Sequence, residues 1–312
     1  MENIKQRNHR IGWIGTGKMG FPMAARLIAA DIDVTVYNRT VAKAEPLGVK
    51  IVSAPAELSD CDIVYTIVTD DKAFLETVTG PKGVLSGSVV PKILIDSSTV
   101  SPGASEDVRS AANAKGVMFL AAPISGNGHA VKAGKATLGV SGPREGYDIV
   151  EPYLEKLGSG VTYLGDGDAS RLAKLAHNIM LGVVAQCLAE ITVFTEKGGV
   201  ERHAFLEYLN KSVMGSIFTS YKTPALVNLD FTATHTSKML RKDMELALAA
   251  ARDMEVPMPI SNMTRDIVQK LIGLGYGDAD FAALIEMQAK FSGYDIKSEN
   301  IEVSDGLEPE SE

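Results

Sequence analysis

The feature that most constrains the fold is a glycine pattern directly after a short apolar run near the N-terminus. Residues 11–27 read IGWIGTGKMGFPMAARL, in which Gly15, Gly17 and Gly20 form the pattern G-x-G-x-x-G. Gly15 suits a tight turn, Gly17 permits close approach of a pyrophosphate, and Gly20 permits close packing of a helix on a sheet. The pattern therefore predicts a strand–turn–helix unit that binds a dinucleotide at a helix N-terminus.

The first half of the chain alternates short β-branched runs with helical stretches. The predicted strands are RIGWIG, VTVYN, CDIVYTIV, ILIDSS and VMFLAAP. This alternation is typical of a parallel sheet with helices on both faces. From Asp168 onward long helical patterns dominate, including one from Ser170 to about Gly198. The predicted class is α/β, with a Rossmann-type doubly wound parallel sheet followed by an all-α C-terminal domain.

The turn-rich sequence LGDGDAS indicates a domain boundary near residue 166. We expect an NADP-binding domain over residues 1–166 and a helical substrate and dimerisation domain over residues 167–296. The remaining segment, residues 297–312, is acidic and has little to bury, so we expect a mobile tail.

Composition narrows the classes of partner. The net charge of −8 argues against nucleic acid or an anionic membrane surface as the main partner. Cys61 and Cys187 form neither a metal-binding spacing nor a disulfide framework, which favours a reducing compartment and predicts no metal site. The polar start argues against a signal peptide. No apolar run is expected to reach the roughly 18 residues of a membrane span, so we expect a cytoplasmic protein.

The end of the second predicted strand indicates which dinucleotide is bound. Many NAD sites place a carboxylate about 20 residues after the glycines, where it accepts from the ribose 2′-hydroxyl. Here the strand ends in Asn38, Arg39 and Thr40, and Lys43 follows. These side chains can donate to a 2′-phosphate, which a carboxylate would repel. NADP(H) is therefore the preferred cofactor, with NAD(H) possible; the alternative is a solvated turn.

A lysine stands out in the helical segment RLAKLAHNIMLGVVAQCLAE, residues 171–190. Lys174 and Asn178 are four residues apart and share one helix face. Leu172, Leu175, Ala176, Ile179, Met180 and Val183 recur at helical spacing and predict that one face packs inward. By itself, Lys174 is compatible with a lysine that extends from the edge of a core to solvent. The alternative is a functional ammonium.

Six segments, in this order, resemble one enzyme family. They are GTGKMGFPMA, IDSSTVSP (95–102), APISGNGHAVKAGKATLGVSG (122–142), KLAHN (174–178), MLRKDMELAL (239–248) and GYGDADFAALIEM (275–287). From Ile11 to about Met287 the chain resembles the 3-hydroxyisobutyrate dehydrogenase-related family, the β-hydroxyacid dehydrogenases. These enzymes are related to 6-phosphogluconate dehydrogenase and to the imine reductases.

The resemblance implies an NADP(H)-dependent oxidoreductase that reversibly reduces a small aldehyde acid or keto acid to a hydroxyacid. It implies Lys174 as the general acid and base, and Asn178 as the residue that orients the substrate. The substrate-binding positions are Ser125, Gly126, Asn127, Lys242 and His235. The cofactor-binding positions are Gly15, Thr16, Gly17, Lys18, Met19, Gly20, Asn38, Arg39, Thr40, Lys43, Val68, Thr69, Thr99 and Lys242. We also expect a homodimer or tetramer formed through the helical domain.

The chemistry of the residues agrees with these roles. Hydride transfer to a carbonyl builds negative charge on oxygen, so a positioned proton donor lowers the barrier. Lys174 suits this role if burial and a neighbouring cation such as Lys242 lower its pKa. The loop around Ser125 and Gly126 offers a hydroxyl and backbone N–H groups that suit a carboxylate.

Three positions depart from the family pattern. Ala121 stands where the family usually has aspartate, and Asn127 stands where it has a second glycine. Asn127 brings a side chain to the carboxylate loop, which puts the usual small substrate in doubt. His235 stands where the family tends to have phenylalanine, and it either contacts a polar substrate or lies on a helix surface.

Two alternatives remain. An imine or non-acid carbonyl reductase on the same fold predicts turnover of cyclic imines and little effect of Ser125→Ala. Because aspartate or tyrosine commonly occupies the lysine position in imine reductases, Lys174 favours the hydroxyacid branch. The more remote alternative is a catalytically silent cofactor-binding scaffold, which predicts loss of that lysine.

Overall fold

The computed structural model describes residues 9–307, and the fold divides into two compact units. The first unit extends to Lys174 and the second begins at Leu175, so the division falls inside one long helix. The strands are β1 (Ile11–Ile14), β2 (Val34–Tyr37), β3 (Ile63–Thr66), β4 (Ile93–Asp96), β5 (Met118–Ala121), β6 (Ile124–Ser125), β7 (Thr137–Val140) and β8 (Gly160–Tyr163). The α-helices are α1 (Gly20–Ala29), α2 (Asp71–Val78), α3 (Pro102–Ala114), α4 (Gly128–Lys132), α5 (Arg144–Leu154), α6 (Ala169–Lys197), α7 (Arg202–Lys211), α8 (Ile217–Asn228), α9 (Ser237–Asp253), α10 (Pro259–Leu271) and α11 (Leu284–Phe291).

The first unit contains a five-stranded parallel sheet in the order β2-β1-β3-β4-β5. Its strands are the five that the sequence predicts, and flanking helices with a helical C-terminal region complete the predicted fold class, which is confirmed. The register aligns Ile14, Thr66, Asp96 and Ala121, which are the last residues of their strands. The loops that follow these strands therefore leave the same edge of the sheet, where doubly wound folds bind ligands.

Both faces of this sheet are covered. Trp13 and Ile14 are adjacent in β1 and belong to different hydrophobic clusters, one containing Met23 and Ile95, the other Phe119. Strands buried on both faces read as nearly continuous apolar runs, which explains why these segments lack alternation. Trp13 stacks on Tyr65 with ring centroids 4.4 Å apart.

A second sheet that the sequence does not predict has the order β6-β7-β8. Strands β6 and β7 are antiparallel, whereas β7 and β8 are parallel. Because β6 contains only Ile124 and Ser125, it has too few residues to show a strand period. Ser125, a predicted substrate-binding residue, lies at the end of β6.

The second unit consists of α7 to α11 together with the part of α6 that begins at Leu175. Its core includes Leu206, Leu240, Met244 and Leu271, all fully buried. The unit also buries an ion pair, in which Lys222 Nζ lies 2.6 Å from Asp280 Oδ1.

The expectation that residues 297–307 have little to bury is wrong, whereas the mobility of this segment stays a prediction. The Arg202 backbone N–H donates to Glu299 Oε1 at 2.8 Å, and Asn228 forms two hydrogen bonds with the backbone of Ile301. Ile301 and Val303 pack on the core of the second unit. These apolar residues let the acidic segment pack on the core. The sequence analysis overlooked them because the segment is rich in acidic residues. Residues 308–312 lie outside the described part of the chain.

Helix α6 corrects two further expectations. An 18-residue window of α6 has a mean hydropathy of 1.5, so by length and composition it is able to span a membrane, contrary to prediction. Half of that window is buried within the fold. The predicted inward face is also only partly buried, since Ile179 is buried whereas Leu172 and Met180 are 45% and 66% exposed. The homodimer stays a prediction.

Candidate active site

The glycine loop adopts the conformation that its pattern requires. Gly15 has a φ of +101°, and a Cβ there would lie 2.1 Å from the carbonyl oxygen of Ile67. A Cβ on Gly20 would lie 2.2 Å from the Gly15 oxygen. Trp13 Nε1 donates to that same oxygen at 2.8 Å. The loop between β1 and α1 is therefore pressed against the residue that follows β3, and larger side chains do not fit.

The same loop offers the groups that a dinucleotide pyrophosphate requires. Thr16 is 3% exposed, and its Oγ1 has no hydrogen-bond partner among residues 9–307. Gly17 faces open space, and Met19, the N-cap of α1, makes no side-chain capping hydrogen bond. An unused hydroxyl and an uncapped helix N-terminus fit a bound pyrophosphate. Lys18 is exposed at the tip of the loop.

The residues predicted to select the cofactor divide into two kinds. Asn38 Oδ1 accepts from the Thr16 backbone N–H at 2.9 Å, and its Nδ2 donates to the Thr40 carbonyl oxygen at 2.7 Å. Asn38 thus braces the glycine loop against the end of β2. The side chains of Arg39, Thr40 and Lys43 are exposed and available to a ligand.

Two further predicted cofactor segments meet at the carboxyl edge of the sheet. The Val68 backbone N–H donates to Ser98 Oγ at 2.8 Å, which joins the segment after β3 to the segment after β4. Thr99 follows Ser98 and is exposed, whereas Thr69 Oγ1 donates to Asp70 Oδ2 at 2.9 Å. The structure therefore brings Val68 next to Ser98, the residue before Thr99, although Val68 and Ser98 are 30 residues apart in sequence.

The predicted substrate loop, residues 125–128, lies against the predicted cofactor loop, residues 15–20. Gly126 has a φ of +124°, which turns the chain from β6 into α4. A Cβ on Gly128 would lie 2.8 Å from the carbonyl oxygen of Lys18. Asn127 is the N-cap of α4, and its Oδ1 accepts from the Ala130 N–H at 2.9 Å. Its amide oxygen therefore already has a partner within the fold. The contact of Asn127 with the substrate stays a prediction, and the amide nitrogen Nδ2 is the atom that would make it.

The first turns of α6 are fastened to the strand ends of the same unit. Ser170 Oγ donates to the carbonyl oxygen of Ala121 at 2.9 Å, and Arg171 Nη2 donates to Asp96 Oδ2 at 2.7 Å. Lys174 follows one turn later and is partly buried. The sequence reasoning gave no role to Asp96 or Arg171. The available signal was a carboxylate at the end of an apolar strand, which requires a buried partner.

In the second unit, Asp243 is the centre of the predicted site residues. Asn178 Nδ2 donates to Asp243 Oδ2 at 2.9 Å, and His235 Nε2 lies 3.4 Å from the same oxygen. Lys242 Nζ lies 3.2 Å from Asp243 Oδ1. His235 lies before α9, neither on a helix surface nor free in solvent. The sequence analysis missed Asp243 as the residue that connects Asn178, His235 and Lys242.

The Asp243 carboxylate is held in its charged form. Burial favours the neutral acid, but the hydrogen bond from His235 and the charge of Lys242 outweigh it, so the pKa of Asp243 lies below its ordinary value. Asp243 therefore acts as a hydrogen-bond acceptor for Asn178 throughout the neutral range.

Comparison with known proteins identifies the family. Residues 10–165 match the model of the NAD-binding domain of 6-phosphogluconate dehydrogenase. Residues 167–288 match the NAD-binding domain of NADP-dependent 3-hydroxyisobutyrate dehydrogenase. The chain is a member of the 3-hydroxyisobutyrate dehydrogenase-related family. It is therefore an NAD(P)-dependent oxidoreductase of the β-hydroxyacid dehydrogenase type, as the resemblance implied.

Individual relatives of this dehydrogenase family member differ in what they act on. Glyoxylate/succinic semialdehyde reductase 2 of Arabidopsis thaliana is 30% identical over 280 residues, which cover 88% of this chain and 78% of that protein. A Mycobacterium tuberculosis 3-hydroxyisobutyrate dehydrogenase with L-serine has a TM-score of 0.75 at 24% identity and covers 90% of this chain and 99% of its own. A reductive aminase from Aspergillus terreus, with the same coverage and 24% identity, has a TM-score of 0.57. The two structures share the fold of this family member.

Proposed function

We propose that this family member uses NADP(H) to reduce a small aldehyde acid or keto acid reversibly to a hydroxyacid, with Lys174 as the proton donor. The observation that carries the proposal is the continuous set of contacts along the sheet edge of the first unit. The cofactor loop lies against Ile67, Val68 bonds to Ser98, and the α6 turn before Lys174 bonds to Asp96. Cofactor-binding segments and the proposed acid therefore belong to one packed structure.

Each residue has a chemical task in this reaction. The nicotinamide cofactor supplies the hydride when bound. Lys174 Nζ donates a proton to the carbonyl oxygen as negative charge develops there, and takes it back in the oxidation direction. Ser125 Oγ and the backbone around Gly126 bind the substrate carboxylate. Asn178 orients the substrate, and its amide is held by Asp243 through Nδ2 and by His177 through Oδ1.

The preference for NADP(H) is supported by the end of β2. Arg39, Thr40 and Lys43 are exposed there and can donate to a 2′-phosphate. Arg39 and Lys43 carry this selectivity, because the Asn38 amide already bonds to Thr16 and Thr40.

The deciding experiment compares Lys174→Met with the wild type on glyoxylate, succinic semialdehyde and a cyclic imine with NADPH. General acid catalysis is worth about 10²–10⁴-fold, so kcat for the aldehyde acids falls by that factor in the variant. NADPH binding stays near the wild-type value. Binding is read from the fluorescence of Trp13, which is the only tryptophan and bonds to the cofactor loop.

Lys197→Met is the matched control, because Lys197 ends the same helix and its ammonium is exposed to solvent. It keeps wild-type turnover. Unchanged kcat in Lys174→Met would contradict the role of the lysine. Turnover of the imine without turnover of the aldehyde acids, with no effect of Ser125→Ala, would establish the alternative reductase activity instead.

A further inference from the structure

Asp96 is the most completely enclosed acid of the first unit and lies at the end of β4. It has no solvent exposure. Its Oδ1 accepts from Thr66 Oγ1 and from Ser98 Oγ, each at 2.6 Å, and its Oδ2 accepts from Arg171 Nη2 at 2.7 Å. A buried carboxylate is costly unless it is paired and hydrogen-bonded, and every partner here belongs to a segment next to the proposed site.

Arg171 uses each nitrogen of its guanidinium on a different partner. Nη1 donates to the Ser98 carbonyl oxygen at 2.8 Å, and Nη2 is the atom that bonds to Asp96. Nε donates to Ser105 Oγ at 2.9 Å and lies 3.4 Å from Asp168 Oδ1. Its side chain is only 11% exposed. A planar guanidinium with three fixed acceptors has little freedom to move, so the first turn of α6 is locked to the end of β4 and to α3.

These contacts lie between the cofactor segments and the proposed acid. Ser98 holds the Val68 backbone through its hydroxyl and precedes Thr99. Arg171 precedes Lys174 by three residues, and residues at that separation lie on neighbouring parts of one helix face. A shift of the Arg171 side chain would therefore move the lysine relative to the segment that carries Thr99.

We propose that Arg171 and Asp96 are positioning residues, which set the placement of Lys174 relative to the cofactor-binding segments Val68–Thr69 and Ser98–Thr99. The proposal rests on the proposed function of Lys174. Neither residue touches the substrate. Their contribution is to hold the proton donor in place for the moment of hydride transfer, when a misplacement of about 1 Å can cost roughly 10²-fold in rate.

The test is Arg171→Met in the full-length protein, with NADPH and the aldehyde acids as substrates. Asp96 still holds Thr66 and Ser98 in this variant, so NADPH affinity, read from Trp13 fluorescence, changes little. The value of kcat falls by about 10- to 100-fold. Arg171→Lys restores part of kcat, because an ammonium can still reach Asp96 but cannot bond three acceptors at once.

Arg109→Met is the matched control. The Arg109 side chain is 13% exposed and lies over the Phe119 ring. It pairs with Asp168 Oδ1, which Arg171 Nε also approaches to 3.4 Å, so this variant removes a second arginine from the Asp168 carboxylate and leaves the Arg171–Asp96 bond in place. Arg109 has no hydrogen bond to Asp96 or Ser98 in the described part of the chain. Both arginine variants lose stability, but only Arg171→Met loses kcat beyond what its melting temperature explains. Equal losses of kcat in the two variants would overturn the proposal.

A double variant tests whether Arg171 acts through the lysine. If it does, Arg171→Met has no further effect on kcat in a Lys174→Met background, whereas an independent role gives additive losses and overturns the proposal.

Hydrogen exchange supplies a readout that does not need activity. Arg171→Met, unlike Arg109→Met, raises amide exchange in residues 97–101 and 169–174. If the wild type does not turn over the aldehyde acids, the proposed function alone is contradicted. If Arg171→Met leaves amide exchange in these residues unchanged, the positioning role is contradicted.

Discussion

Asn178 Nδ2 donates to Asp243 Oδ2 over 2.9 Å, and both side chains are buried in the helical unit. Asn178 is the residue expected to orient the substrate, and Asp243 fixes which end of its amide faces outward, because a carboxylate accepts only from the NH₂ group. The oxygen of Asn178 is then directed elsewhere, and it lies 3.0 Å from His177 Nδ1.

Removal of the Asp243 charge should therefore impair turnover more than folding. In Asp243→Asn the new amide no longer dictates the orientation of Asn178, and kcat falls by about 10-fold or more, the scale of a lost charge-assisted hydrogen bond. Steady-state kinetics check this. Glu245→Gln, an exposed acid on the same helix that pairs with Arg241, is the control and keeps wild-type kcat. A normal kcat in Asp243→Asn would show that Asn178 does not need this partner.

Arg39→Ala should change cofactor preference. Loss of a charge-assisted hydrogen bond to the 2′-phosphate weakens NADPH binding by about 1.5–3 kcal/mol, or roughly 10- to 150-fold, and leaves NADH binding nearly unchanged. Titration of both cofactors against Trp13 fluorescence measures the difference. Lys50→Ala, which removes an exposed charge after the same strand, leaves both affinities unchanged. Equal weakening of NADPH and NADH would refute a phosphate contact at Arg39.

Gly15→Ala should abolish cofactor binding. Its Cβ would collide with the Ile67 carbonyl oxygen, which is backbone and has no room to move because β3 lies between β1 and β4. Gly48→Ala is the control, since Gly48 also has a positive φ of +66° but a Cβ there meets nothing within 4 Å. That control loses about 1 kcal/mol of stability from backbone strain and keeps NADPH binding. Comparable NADPH affinity in the two variants would disprove the steric argument.

Lys222→Met should destabilise the helical unit strongly. It leaves the buried Asp280 carboxylate without its cation, and removal of one partner of a buried pair costs about 3–5 kcal/mol in the free energy of unfolding. Urea denaturation measures the cost. Lys211→Met is the control, because its pair with Glu207 is exposed and worth at most about 1 kcal/mol. Similar midpoints for both variants would contradict a structural role for the buried pair.

The same pair predicts the response to acid. Burial favours the neutral form of Asp280, but the charge and hydrogen bond of Lys222 and the neighbouring N–H groups keep its pKa below the ordinary value. The unfolded chain binds this proton first, so the stabilisation is complete above about pH 4 and is lost as the pH falls further. The urea concentration at the unfolding midpoint of the wild type therefore falls as the pH is lowered below 4. A flat profile down to pH 2 would rule out this contribution.

Local patterns were sufficient for much of the fold. The five parallel strands follow from short β-branched runs, the glycine loop from its turn residues and helix α6 from helical spacing, and each formed as predicted. The strand β6 was missed because two residues carry no periodicity. The contacts of the segment 297–307 were missed because its acidic composition hid Ile301 and Val303, which pack partly buried on the helical core, and Leu307, which is buried.

The sequence by itself determined the glycine loop and the order of the motifs, and it singled out Lys174 and Asn178 as candidates, because these depend on residue type and spacing along the chain. Only the tertiary structure showed that Asp96 pairs with Arg171, 75 residues later, and that Asp243 pairs with Asn178, 65 residues earlier. It also showed that the side-chain amides of Asn38 and Asn127 form hydrogen bonds with backbone groups. Hydrogen bonds between buried groups depend on which segments the fold places side by side, and that information is absent from local spacing.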